Sequence, residues 1–82
     1  MLYTAMCFWP GVADDELRLA AARAAEPTSS EERAVFRGAL HLVGDDVVLC
    51  LFDAPSRVLV KQASERAGIP CERVIDSMWV EP

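Results

Sequence analysis

Few side chains in this 82-residue chain can do chemistry, and no motif joins them. His41 is the single histidine and lies in an alternating stretch that predicts a strand, with Arg37 and Ala39 on its face. As a base or metal ligand it needs a carboxylate or thiol beside it. Asp76 is the one acid placed inside an apolar run, Val74-Ile75-Asp76-Ser77-Met78-Trp79-Val80. A carboxylate there costs free energy unless it is paired, hydrated or used, with Arg37 and Arg73 as candidate partners. Ser77 beside it has neither a nucleophile elbow nor a base. Cys7 and Cys50 fall in apolar stretches, and adjacent strands would let two soft ligands converge with Met6 or His41 on a transition metal. The candidate metal ligands are therefore His41, Asp76 and Cys7. The plainer alternatives are a surface histidine, a paired aspartate and cysteines that serve as small hydrophobes. Trp9 and Trp79 can stack on a flat ligand or pack in a core or subunit contact. Met6, Phe8, Trp9, His41, Asp76 and Trp79 make up the candidate ligand or interface set.

The elements that must position these groups are best marked in the second half of the chain. Val47 to Phe52 is six consecutive apolar residues between Gly44-Asp45-Asp46 and Asp53-Ala54-Pro55, a strand buried on both faces. A helix follows, with Asp53 or Ser56 as its cap and Pro55 at its start. Leu59, Val60, Ala63 and Ala67 form its apolar stripe, while Arg57, Lys61, Ser64 and Glu65 lie away from it. Gly68-Ile69-Pro70 stops the helix. Cys71-Glu72-Arg73 then reads as a turn and Val74 to Val80 as the last strand.

Upstream, Leu2 to Trp9 is a strand that ends at Pro10-Gly11. Asp14-Asp15-Glu16 opens a helix whose buried face is Leu17, Ala20, Ala21 and Ala24, and Glu26-Pro27-Thr28 closes it. Ser29 to Arg33 is a helical turn or a loop. Ala34 to Val43 is a half-buried strand with Phe36, Leu40 and Leu42 on one face and a bulge or bend at Gly38. A tight connection at Gly44-Asp45-Asp46 makes it a hairpin with Val47 to Phe52.

Composition narrows the function. Eight basic residues against thirteen acidic give a net charge of −5, the wrong sign for a phosphate-binding surface, so nucleic acid is excluded as a partner. No apolar run approaches the roughly 20 residues of a membrane helix. Three cysteines without CxxC spacing, and no signal-peptide pattern, predict a cytoplasmic protein with reduced thiols.

The order β-α-β-β-α-β in residues 1–82 predicts one domain of the α+β class. It is a ferredoxin-like sandwich with a four-stranded antiparallel sheet and two helices on one face. A chain this short buries only about 60% of its unfolded surface, and 52% of its residues are hydrophobic. Two alanine-lined helices cover one sheet face, so the other should pack against a second copy, giving a dimeric α+β barrel. The face left open carries either Leu2, Thr4, Met6 and Phe8 or Tyr3, Ala5, Cys7 and Trp9, according to register.

The stretches Cys50-Leu51-Phe52-Asp53-Ala54-Pro55-Ser56, Glu65-Arg66-Ala67-Gly68-Ile69-Pro70 and Glu72-Arg73-Val74-Ile75-Asp76 resemble a bacterial family of small domains of unknown function. Some members of that family are described as nickel-binding or nickel-responsive. The resemblance covers the C-terminal half and implies a ferredoxin-like fold and a homodimer. It also implies nickel or another transition metal as the alternative cofactor, with Asp76 where family members carry an acid. Three readings follow: a dimeric domain holding a partner or a small apolar ligand between its sheets, a nickel-type metal-binding protein, and a small barrel enzyme of monooxygenase or isomerase type.

Overall fold

The alternation of the first strand sets the layering. In a computed structural model, which describes residues 1–26 and 33–82, β1 spans Leu2–Phe8. Its odd-numbered residues, Tyr3, Ala5 and Cys7, are buried, while its even-numbered residues are half-buried or exposed. β3, Val47–Asp53, repeats the pattern with Val48, Cys50 and Phe52 inward. These two strands are antiparallel neighbours at the centre of the sheet. β2 (Val35–Leu42) and β4 (Cys71–Asp76) form its edges, so the strand order is β2-β3-β1-β4. Helices α1, Asp14–Ala24, and α2, Arg57–Arg66, cover the inward face. The fold is ferredoxin-like, as the element order predicts.

Local chemistry accounts for most boundaries. Ser56 caps α2, its Oγ accepting the Leu59 amide at 3.4 Å, and Pro55 precedes this cap. Asp53, the other candidate cap, is engaged elsewhere. Gly68, at φ +77°, reverses the chain after α2, and the Ile69 amide donates to the Ser64 carbonyl at 2.9 Å. Ile69 is buried against the helix it terminates. In α1 the Glu16 carboxylate accepts the Ala13 amide at 3.4 Å, which stands in for a cap that alanine cannot supply. Beneath α1 and α2 the core is small-sided, with Ala20, Ala24, Ala63 and Val60 resting on Val48, Cys50 and Phe52. The Phe36 and Phe52 rings meet edge to face at 5.4 Å and 65°.

Several boundaries differ from those expected. The last strand runs Cys71–Asp76 rather than Val74 to Val80, because the chain turns tightly about Pro70, the Cys71 amide donating to the Ile69 carbonyl at 2.8 Å, and enters the strand at Cys71. Between β2 and β3 a single 3-10 turn, Val43–Asp45, leads into left-handed Asp46. Ser64, assigned to the wet side of α2, is fully buried, its hydroxyl donating to the Val60 carbonyl at 2.9 Å. α1 ends at Ala24, capped by Ala25. The stretch from Pro27 through Glu32 lies outside the described residues.

Both edge strands carry one extra residue. In β2 the register passes from Phe36 opposite Phe52 to Gly38 opposite Leu51, leaving Arg37 unmatched. In β4 it passes from Arg73 opposite Met6 to Cys71 opposite Cys7, leaving Glu72 unmatched. Each extra residue moves everything beyond it to the other face of the sheet.

Candidate functional site

Strand alternation gives the sheet a second face that no layer among the described residues covers. β1 places Leu2, Thr4, Met6 and Phe8 there, and β3 places Val47, Leu49 and Leu51. Leu40 and Leu42 of β2 align with Leu49 and Val47, and Ile75 of β4 aligns with Thr4. Phe8, at the end of β1, is 54% exposed and Leu40, on edge strand β2, 57%, while Met6, Leu49 and Leu51 between them are half-buried. Of the two registers left open by the sequence, the structure selects Leu2, Thr4, Met6 and Phe8 as the outward set.

The polar groups of this face gather at one end. The Met1 ammonium and the Arg37 guanidinium each reach Asp53 at 3.2 Å, and the Thr4 and Ser77 hydroxyls lie 2.6 Å apart. The ammonium and then the guanidinium hold the Asp53 carboxyl below its ordinary 3.8. At the sheet edge the Arg73 guanidinium approaches the Met6 sulfur at 3.8 Å. The opposite end, around Phe8, Val47 and Leu42, is apolar.

The candidate residues do not meet at one point. Met6 and Phe8 belong to the open face. Trp9 lies just past β1, half-buried against the core, with its amide on the Asp46 carbonyl at 2.7 Å. Trp79 lies beyond β4, at the other end of the strands, and is 72% exposed. The two indoles are therefore too far apart to stack on one ligand within a chain. Asp76 is the last residue of β4, not a strand interior, and its partner is neither Arg37 nor Arg73. It accepts from Arg57 at 2.8 Å in an exposed pair on the helix side.

The Arg37 bulge sends His41 to the face opposite that of Arg37. It stands across from inward Val48 and lines an open groove of about 370 Å³ between α1 and β2, with Asp14, Leu17 and Arg18. Cys7 is also opposite Val48, on the other side of β3. His41 and Cys7 are thus two strand spacings apart, roughly 9–10 Å between backbones, with Val48 standing between them. Asp76 sits on the far edge strand, and Met6 points away from Cys7. Among the described residues no group of three or more His, Cys, Asp and Glu side chains is placed to hold a metal ion.

Sequence reasoning missed the third cysteine. Cys71 on β4 stands directly across from Cys7 on β1, and Cys50 on β3, opposite Ala5, is the diagonal neighbour of Cys7, all on the helix side. Hydrogen bonding with Cys50 and burial push the Cys7 thiol far above its ordinary range. Burial raises Cys71 too, against the lowering influence of Lys61. No sequence signal marks this trio: the β4 bulge that creates it is a register shift, and a turn assignment for Cys71-Glu72-Arg73 concealed the strand that carries it.

No protein-family model matches the chain, and no curated protein matches it. Among solved structures, the crystal structure of SCO4226 from Streptomyces coelicolor A3(2) is similar, with a TM-score of 0.77 and 20% identity. The alignment covers 99% of this chain and 100% of that one. At that identity the likeness establishes the fold. No helix among the described residues is long and apolar enough to cross a membrane.

Proposed function

We propose that this protein is a homodimeric binding domain in which two copies press their uncovered sheet faces together and hold a small, largely apolar ligand between them. The observation that carries this reading is the outward set of Leu2, Met6, Phe8, Leu40, Leu49 and Leu51, an apolar surface on the bare side of the sheet interrupted on β1 by Thr4. Thickness supports it. The chain measures 35 × 32 × 21 Å, and its short dimension has room for one helix layer and one sheet layer. A second sheet packed about 10 Å away supplies the missing third layer. A standard interface removes about 800 Å² per partner, on the order of 15% of the 5458 Å² that the chain exposes. Exposed Met78, Trp79 and Val80, just beyond β4, add apolar surface that a second copy can take up.

Light scattering coupled to gel filtration tests the dimer. The expected particle is about 18 kDa, twice the 9.0 kDa chain. Leu40→Glu, on the open face, should give a folded species of half that mass. Titration with the apolar fluorophore N-phenyl-1-naphthylamine should saturate at one probe per two chains and lose that stoichiometry in the variant. A stable wild-type monomer overturns the reading.

A further inference from the structure

The cluster of Cys50, Cys7 and Cys71 stands apart from the open sheet face and is independent of the dimer. In an unbroken β1–β4 register Cys7 would face Glu72, and Cys71 would emerge with Phe8 on the opposite side of the sheet. The single extra residue at Glu72 instead places Cys71 directly across from Cys7, on the same face. Opposed residues of an antiparallel pair stand about 4.5–5.5 Å apart between Cα atoms, inside the roughly 4.4–6.8 Å that a disulfide spans. All three thiols are free. They differ in access: Cys7 and Cys50 are buried, whereas Cys71 is half-buried and lines a groove of about 320 Å³. That groove runs between Arg57, Val58 and Lys61 of α2 and the outer edge of β4.

We propose that Cys71 is the entry point of a two-thiol redox site that takes an anionic low-molecular-weight disulfide of the glutathione class and passes its oxidation to Cys7. The Cys71 thiolate attacks one sulfur of the disulfide RSSR, forming Cys71–SR and expelling RS⁻, which takes up a proton. The Cys7 sulfur, giving up its proton, then attacks the Cys71 sulfur and expels the second RS⁻. Two cysteines are oxidised to one cross-strand disulfide, and RSSR is reduced to two RSH. Lys61 supplies the positive charge beside Cys71 that favours an anionic reagent over a neutral one, Arg57 being paired with Asp76 and Glu72 lining the same groove. The titratable and charged groups facing Cys71 are Cys7 on β1 and Lys61 and Glu65 on α2, and those facing Cys7 are Cys50 and Cys71. Since attack requires the thiolate, the first step accelerates roughly tenfold per pH unit while the thiol remains mostly protonated.

Peptide mapping tests the site. Reduced, folded protein is incubated with oxidised glutathione, quenched in acid and digested with trypsin, which isolates Cys7, Cys50 and Cys71 in peptides 1–18, 38–57 and 67–73. Mass spectrometry should find glutathione on 67–73 first, and then 67–73 joined to 1–18 with the glutathione gone. Cys71→Ser should abolish both products, and Cys7→Ala should strand the adduct on 67–73. Lys61→Gln should slow the reaction with oxidised glutathione more than that with neutral hydroxyethyl disulfide. The wild-type map needs no substitution and decides by itself. No adduct, an adduct that never closes, or 1–18 joined mainly to 38–57 each overturns the proposal. Equal slowing of the two reagents overturns the preference for an anion.

Discussion

Asp53 ends β3 between two positive groups, and its titration makes a pH prediction. The Met1 ammonium and Arg37 lower its pKa in the folded state relative to the unfolded chain. A lowered folded value contributes stability that is complete above the unfolded pKa and fades as pH falls through the folded one. Asp53→Asn should therefore be less stable than wild type at neutral pH and converge with it in acid, below the ordinary value of 3.8. Urea unfolding at a series of pH values checks this. The Arg57–Asp76 pair is different, since its side chains are 60% and 55% exposed. Asp76→Asn should cost less than about 1 kcal/mol in the same assay, as solvated pairs do. Residue identity alone made Asp76 look like an unusual buried acid, because the strand was expected to continue through Val80. Ser64 misled in the opposite direction: its hydroxyl is satisfied by the carbonyl one turn back, which a polarity pattern does not register.

Elements were legible where sequence and packing agree. Val47 to Phe52 is apolar on both faces because one face meets the helices and the other is the open surface. Ser56 and Gly68 mark the ends of α2 through hydrogen bonding and backbone freedom that act locally. At φ +77°, Gly68→Ala should destabilise the chain by roughly 1–2 kcal/mol, the cost of a left-handed alanine, measured by thermal unfolding. Phe52 is fully buried against the Phe36 ring, and Phe52→Ala should cost about 3–5 kcal/mol. That is much of the stability of a domain this size. The bulges were harder to read. Gly38 hinted at one, but the sequence pattern kept His41 on the same side as Arg37. Glu72 gave no hint, because an inserted residue shifts the register without changing composition. That one residue decides which side of the sheet Cys71 occupies.

For the whole molecule, the excess of apolar strand over helix cover was visible in the composition, and the structure resolves which side is bare. A dimer built on that side makes thermal stability depend on concentration. Tenfold dilution should lower the wild-type melting temperature and leave Leu40→Glu unchanged, as followed by circular dichroism. Calorimetric titration with nickel checks the resemblance-based alternative. With His41, Cys7 and Asp76 separated within one chain, His41→Ala and Asp76→Asn should not alter any heat observed. The distances between these three residues depend on strand order, which no local pattern encodes.

The two irregular sheet margins also limit how copies can assemble. An edge that is bent by Arg37 on one side and by Glu72 on the other offers an incoming strand a broken ladder flanked by charge. Growth by adding strand to strand, the route to fibres, is blocked at both borders. In the proposed pair the apolar residues of the flat side are covered in a single event, so aggregation should stop at a closed pair.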